Sequence, residues 1–207
     1  TNFFNRPSFL GQLALGDILD RLEASFGGAI VAPNVVLTAA HCFFSRRRTR
    51  SYHVKTQIRL GDAKLNGNSS AETFDIQSII KHPLYTGRGP KHDLAIVFTK
   101  KEIQFNERKQ KIALADDGDG RPKRAQFSAW GNEDKKHQAS DVLRESNLKA
   151  LELSECVRPE YFTNSRVRSR LNEGSIFCAA EVVSFYDRSP KDTFTLIFNQ
   201  LFQDTYT

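Results

Sequence analysis

The sequence predicts an all-β protein built from small antiparallel barrels. Short apolar runs and turn signals alternate along the chain, whereas long helical periodicities are few. The chain has 207 residues, of which 39% are hydrophobic, so it is large enough to bury a sizeable core. No apolar run approaches the roughly 18 residues of a membrane-spanning helix, and the sequence predicts no membrane contact.

Eight strands are predicted from the residues, each an apolar run bounded by turn-forming residues. Gly16–Ala24 is expected to form a loop, with short helix character in its Asp-Ile-Leu-Asp-Arg-Leu-Glu-Ala stretch as the alternative. Asp116–Arg124, rich in Asp, Gly and Pro, is expected to link two barrels. The predicted strands are Phe9–Leu15, Ser25–Val31, Val35–Thr38, Gln57–Leu60, Thr73–Lys81, Leu94–Phe98, Arg124–Ala129 and Asn147–Leu153.

Two of these strands flank residues with catalytic chemistry. The strand ending in Leu37-Thr38 runs into Ala39-Ala40-His41-Cys42, and Asp93 stands at the head of a later apolar run. A histidine with a buried aspartate makes two thirds of a nucleophilic triad, because the carboxylate fixes the imidazole tautomer and stabilises the imidazolium. The third member would be a serine in a tight Gly-x-Ser-Gly turn, and the sequence contains no such turn.

The segment Leu37–Cys42 resembles the catalytic-histidine motif of trypsin/chymotrypsin-like serine proteases, arthropod trypsin-like proteases above all. Asp93, in His92-Asp93-Leu94-Ala95-Ile96, matches the family's Asn-Asp-Ile-Ala-Leu with His for the usual Asn. The resemblance covers about Phe9 to Ala180. Further segments that match in the family's order are Phe26–Val31, Ile58–Asp62, Ile79–Tyr85, Ser128–Gly131, Glu155-Cys156 and Phe177–Ala180.

The resemblance implies a chymotrypsin-like fold of two six-stranded antiparallel Greek-key barrels, the second of them incomplete. It places a first barrel at residues 1–118 and a partial second barrel with a divergent tail at 119–207. It adds a strand at Ser175–Ala179, a one-turn helix at Ala39–Phe43 and a short helix at Ser154–Tyr161. It also implies a secreted, monomeric endopeptidase that acts on proteins or peptides, binds inhibitors and needs no cofactor. His41 is then the general base and Asp93 its orienting partner.

The chain departs from the family where the nucleophile is expected. Lys191-Asp192-Thr193 resembles the segment before the active serine, which places Asp192 at the floor of the primary specificity pocket and Phe198 at the serine position. Ser189 lacks the neighbouring glycines that an oxyanion hole needs. The family's Ile-Val-Gly-Gly start is also absent. About 50 residues that complete the second barrel are missing by the size expected of the family, and the apolar tail Thr193–Phe202 is a candidate surrogate strand.

Three cysteines leave one thiol over in a secreted protein. The resemblance pairs Cys156 with Cys178. It leaves Cys42 as a free thiol, because Phe26 stands where the family has the partner half-cystine. Cys42 is expected to be buried beside the general base, where a small inert apolar residue is the favoured interpretation.

The net charge of +6 comes from short basic clusters in predicted loops. No nucleic-acid-binding module accompanies them, so solvated surface is the first interpretation and a sulfated polysaccharide the alternative partner. Asn68 begins the sequon Asn68-Ser69-Ser70 and is a candidate glycosylation site. The histidines show no metal-ligand spacing, and no metal is predicted, although Asp62–Glu72 overlaps a loop that binds calcium in some relatives. The clusters are Arg46–Arg48 with Arg50, Arg108–Lys111, Lys123-Arg124, Lys135-Lys136 and Arg166–Arg170.

Three functional hypotheses follow. In the first, the gene encodes a trypsin-like endopeptidase and this chain is an incomplete record of it. In the second, the chain is a non-catalytic homologue that binds partners on a protease scaffold, since the fold does not guarantee the activity. A mis-spliced product without function is the third. The His41 and Asp93 pair favours the first, and the missing serine favours the second.

Overall fold

A computed structural model describes residues 10–16, 22–44, 56–64, 71–87, 91–114, 123–130, 142–152, 176–181 and 198–199. These residues form ten strands and one short 3₁₀ helix, η1, and no α-helix. The elements are β1 Leu10–Gly16, β2 Leu22–Ala32, β3 Val35–Thr38, η1 Ala40–Cys42, β4 Thr56–Leu60, β5 Glu72–Lys81, β6 Ala95–Thr99, β7 Arg124–Ala129, β8 Arg144–Leu151, β9 Ile176–Glu181 and β10 Phe198–Asn199.

The first six strands close into a barrel in the order β1-β2-β3-β6-β5-β4. Every neighbouring pair is antiparallel, and β1 pairs with both β2 and β4. Register shifts between Ile30 and Ala32 and between Ile76 and Ser78 mark β-bulges, which bend strands and help a sheet to close. The closed barrel confirms the all-β fold that the sequence predicts.

The core of the barrel consists of side chains that alternate inward along the strands. In β6, Ala95, Val97 and Thr99 are buried, and the residues between them are partly exposed. This period of two is the strand pattern that the sequence shows. The chain beyond β6 returns to the same core, where Ile103 is buried and donates its backbone N–H to the Pro33 carbonyl. The central cluster also contains Ile30, Val36, Cys42, Phe43, Ile58, Leu60 and Phe74.

One charged side chain is buried at the rim of this barrel. Lys109 follows a turn in which the Asn106 side-chain oxygen accepts the backbone N–H groups of Arg108 and Lys109. Its ammonium donates to the half-exposed Glu72 carboxylate and lies 5.7 Å from the centre of the Phe74 ring. Both contacts offset the cost of removing the charge from water.

A second sheet has four strands in the order β10-β9-β8-β7. Among the side chains that the structure describes in this sheet, Leu148 of β8 and Ala179 of β9 are buried. In the tail, Phe198 and Asn199 pair antiparallel with Phe177 and Ile176 of β9. The tail therefore adds a strand to this sheet, as the surrogate-strand hypothesis expected, over two residues.

The chain divides into two compact units, each of which is built from three separate segments of the sequence. One comprises Thr1–Arg88, Asp93–Leu114 and Ala129–Arg144, and the other Gly89–His92, Ala115–Ser128 and Glu145–Thr207. The six barrel strands all belong to the first unit. The division of the chain into domains 1–118 and 119–207 stays a prediction.

All nine predicted strands are present, with ends within three residues of those observed. The predicted loop Gly16–Ala24 was wrong at its end, because β2 already begins at Leu22. Cross-strand pairing of Leu22 and Ala24 with Gly16 and Leu15 extends the strand there. The predicted helix Ser154–Tyr161 lies outside the described residues.

Replacing Ile58 by Ala should lower the free energy of unfolding by about 2–5 kcal/mol, because the side chain is 0% exposed and leaves a core cavity. Ile80→Ala is the matched control, since that side chain is 56% exposed and its loss should cost less than about 0.5 kcal/mol. Urea unfolding measures both. Equal losses in the two variants would contradict the assignment of the barrel interior.

Glu72→Gln should destabilise the barrel more than Lys109→Met does. The first change leaves the buried Lys109 ammonium without a carboxylate partner, at a cost of about 1–3 kcal/mol. The second replaces the charge by an apolar chain of similar length and leaves Glu72 half in water, so its cost should stay below about 1 kcal/mol. Urea unfolding of both variants tests the order, and the reverse order would show that Lys109 is not buried with its charge.

Candidate active site

The candidate histidine lies just beyond the end of β3. Ala39 is extended, with φ −81° and ψ 138°, and the chain then enters η1, where the Phe43 and Phe44 N–H groups donate to the Ala40 carbonyl. Ala40 and Cys42 are buried on either side of His41, whose side chain is 55% exposed. The alternation of small buried residues with a histidine in the motif thus projects one imidazole outward from a tight turn.

The candidate aspartate lies just before β6, the strand that pairs with β3. Thr38 is opposite Ala95 in this pair, so the residues after β3 and those before β6 share one end of the barrel. His92, which precedes the aspartate, has φ 55° in the left-handed region. Histidine and asparagine enter that region more readily than most non-glycine residues. This backbone conformation explains why His can stand where the family usually has Asn.

Both carboxylate oxygens of Asp93 bind His41. Oδ1 accepts the backbone N–H of His41 at 2.7 Å, and Oδ2 lies 2.6 Å from the imidazole Nδ1. The Asp93 side chain is largely buried. The backbone bond fixes the carboxylate, and the side-chain bond places a proton on Nδ1 and leaves Nε2 for chemistry.

The charge of the carboxylate makes His41 strongly basic. The hydrogen bond from Asp93 and then that from Cys42 raise the pKa of His41 from 6.5 to about 10, against the opposing effect of burial. The raised pKa favours the imidazolium form of His41 at neutral pH. In this form both ring nitrogens are donors, and Nε2 accepts a proton only after it has given up its own.

Cys42 is a free thiol beside the imidazole. Its Sγ lies 4.0 Å from His41 Nε2 and 3.9 Å from the Thr38 hydroxyl. That hydroxyl donates to the Gly27 carbonyl at 2.8 Å, which ties the end of β3 to β2. The thiol is 3% exposed, so protein surrounds it on nearly all sides.

Tyr85 is a site residue that the sequence analysis named only as part of a family segment. It is buried and packs against Ala40, which precedes the histidine, and Ala95, which lies two residues after the aspartate. Burial and then the charges of Asp93 and Cys42 raise the pKa of its hydroxyl. The sequence signal that could have identified Tyr85 is its position as the last residue of Ile79–Tyr85, a segment that matches the family.

The described part of the structure does not place the other predicted site residues next to His41 and Asp93. Asp192, Cys156, Asn68 and Ser189 lie outside the described residues, and of Cys178 only the backbone, in β9, is described. The residues that are described contain no group of three or more potential metal ligands. They also contain no helix long and apolar enough to cross a membrane.

The predicted basic clusters are described in part. Lys109 is buried against Glu72 and is therefore not available to a polyanion. Lys123 and Arg124 are exposed. Arg46–Arg48, Arg50, Lys135, Lys136 and the arginines at 166, 168 and 170 lie outside the described residues.

Comparison with known proteins agrees with these features. The family model named Trypsin matches residues 19–184. The trypsin of Squalus acanthias is 28% identical over 151 residues, 72% of this chain and 62% of the relative. Trypsin-3 of Salmo salar is 30% identical over 132 residues, 63% of this chain and 52% of the relative. This chain thus spans about half to three fifths of the length of these relatives.

A solved structure described as "Structure of GrC" superposes with a TM-score of 0.66 at 17% identity. The superposition covers 93% of this chain and 79% of that chain. At this level of identity the match shows a shared fold. The family resemblance and the fold that the sequence predicts are both confirmed.

The pKa of His41 should fall toward 6.5 in Asp93→Asn, because the neutral amide no longer stabilises the imidazolium. Cys42→Ala should lower it less. Titration of the imidazole ¹H and ¹³C NMR signals measures the pKa, with the signal assigned by its loss in His41→Ala. In the wild-type protein the pair stabilises the fold fully below pH 6.5 and progressively less as pH rises toward 10. An unchanged pKa in Asp93→Asn would contradict the pairing.

Proposed function

Since the chain belongs to the trypsin family of serine proteases, we propose that it carries the proton-transfer half of a peptidase active site. His41 is the general base and Asp93 the residue that orients it. The observation that carries the proposal is the double hydrogen bond between the Asp93 carboxylate and His41. A carboxylate bound at both the backbone and Nδ1 holds the imidazole in one orientation.

In a complete site of this kind, the imidazole takes a proton from a serine hydroxyl as that hydroxyl attacks a peptide carbonyl. His41 Nε2 is the atom placed for this transfer, and Asp93 stabilises the imidazolium that results. Asp192 is the candidate reader of a substrate Arg or Lys. The reaction needs no cofactor, and the substrates are proteins or peptides.

We further propose that the 207-residue polypeptide does not hydrolyse peptides by itself. Its sequence contains no Gly-Asp-Ser-Gly, and Phe198 stands at the expected serine position in the family register. Removing a triad nucleophile lowers the rate by several orders of magnitude. The backbone of Phe198 pairs within a strand, a conformation unlike the glycine-dependent turn of an oxyanion hole.

A second candidate is a non-catalytic homologue that binds proteins, peptides or inhibitors. The basicity of His41 favours it, because a general base works best with a pKa near the working pH. With a pKa of about 10, His41 is suited to bind anionic groups rather than to accept protons at neutral pH. Under both candidates we propose a secreted, monomeric protein with a Cys156–Cys178 disulfide. We also propose that Asn68 is glycosylated and that the exposed basic residues bind sulfated polysaccharide.

A fluorophosphonate probe separates catalytic from non-catalytic states, because only an activated serine reacts with it. We expect no labelling of the 207-residue chain and no amide hydrolysis above that of His41→Ala. An active trypsin treated in parallel shows that the probe works. Labelling of any serine, located by peptide mass spectrometry, would overturn the proposal of inactivity.

Sequencing of the transcript and locus beyond the Lys191-Asp192-Thr193 codons separates the two candidates at the level of the gene. An in-frame Cys-Gln-Gly-Asp-Ser-Gly-Gly-Pro segment would support an active protease encoded there. Its absence would support the binding protein.

A further inference from the structure

We propose that Cys42 is a second reactive group, whose thiol is oxidised by small hydroperoxides. His41 is the proton donor in this reaction, and Asp93 holds the His41 ring. The ligand class is a peroxide of the size of hydrogen peroxide, and the product is a sulfenic acid on Cys42. This inference is independent of the proposed peptidase function, since it needs no serine and no peptide substrate.

The arrangement has the three parts of an activated nucleophile. The Cys42 sulfur lies within hydrogen-bond reach of His41 Nε2 at 4.0 Å, and Nδ1 of the same ring is held by Asp93 at 2.6 Å. A nucleophile beside a histidine that a third group orients is the general pattern of such sites. The carboxylate keeps the imidazole protonated, and a protonated imidazole stabilises a thiolate next to it.

The charged and titratable groups around the sulfur act in different directions. His41 faces it through Nε2, and the raised pKa of His41 favours a positive charge on that ring. Asp93 and Tyr85 are the other titratable groups near the sulfur, and burial first and then the charges of Asp93 and Cys42 raise the pKa of Tyr85. Asp93 is bound to Nδ1 and to the backbone N–H of His41, whereas the sulfur lies near Nε2 of the same ring.

Burial selects the size of the oxidant. Cys42 as a whole residue is 3% exposed, whereas the side chain of the neighbouring His41 is 55% exposed. A bulky electrophile or a second protein thiol cannot reach a sulfur packed in this way. The proposal therefore requires an oxidant little larger than water, which would arrive from the side of the half-exposed imidazole.

The reaction balances with the groups present and the peroxide itself. The Cys42 thiolate attacks one peroxide oxygen, the S–O bond forms and the O–O bond breaks. Sulfur loses two electrons, and the departing hydroxide takes the Nε2 proton of His41 to leave as water. The products are a sulfenic acid and a neutral imidazole, so the oxidation discharges His41 in the same step.

The test is the rate of Cys42 sulfenic acid formation by hydrogen peroxide at pH 6. At each time point catalase removes the peroxide, the chain is unfolded in urea with dimedone present, and the trapped product is read by peptide mass spectrometry. At this pH an unfolded cysteine is almost wholly protonated and reacts slowly. We expect Cys42 in the folded protein to react faster than in the same chain unfolded in urea. We expect His41→Ala to lower the folded rate by about tenfold or more, since this variant has no imidazole to give a proton to the departing oxygen.

Two further variants keep the result interpretable. Asp93→Asn should lower the rate in the same direction while the imidazole remains in place, and it serves if His41→Ala unfolds. His82→Asn is the matched control, because it removes a histidine yet retains an acceptor for the Leu84 N–H, and it should leave the rate unchanged. A folded rate at or below the unfolded rate, or one that both site variants leave unchanged, would overturn the proposal and identify Cys42 as an inert packing residue.

Discussion

The antiparallel pairing of β3 with β6 is the constraint on which the site depends. It sets Thr38 opposite Ala95, so that η1 and the turn at His92-Asp93 leave the barrel at the same end. A strand advances about 3.3 Å per residue. A slip of one residue would therefore move His41 past Asp93 by more than the length of either hydrogen bond. It would also turn the buried face of β6 outward, so the packing of the core fixes the geometry of the site.

The interactions that hold the site also change its chemistry. Asp93 uses both oxygens on one residue, which orients the imidazole but also raises its pKa to about 10. A free Cys42 adds to the same effect, whereas the family places a disulfide there. An imidazole that stays protonated at neutral pH is unsuited to act as a base there, but it is in the form that can give a proton to a departing group. The same pair thus supports both the peptidase ancestry and the proposed thiol oxidation.

The sequence predicted much of the fold because its signals are local. Apolar runs bounded by turn residues located eight strands, and the family resemblance added Ser175–Ala179. Val35–Thr38 and Arg124–Ala129 were predicted to the residue. The pairing of His41 with Asp93 came from motifs that name both residues. Burial of Lys109 was not foreseen, because its partners Glu72 and Phe74 are far away in sequence and the residue reads as part of a basic cluster. Tyr85 was overlooked as a site residue for the same reason, since it gains its role from packing on Ala40 and Ala95.

The two sheets differ in how they treat their edges. A closed barrel has no free edge, so the six strands of the first sheet satisfy one another's backbone groups all the way round. The second sheet is a row of four strands, in which β10 pairs with β9 through only Phe198 and Asn199. Because backbone pairing and side-chain burial reinforce one another, the barrel should be the more resistant of the two to exchange of its amide protons. The candidate residues His41, Cys42 and Asp93 all belong to the barrel unit. Their geometry therefore rests on the part of the molecule whose hydrogen bonding is closed, and does not require the second sheet to be complete.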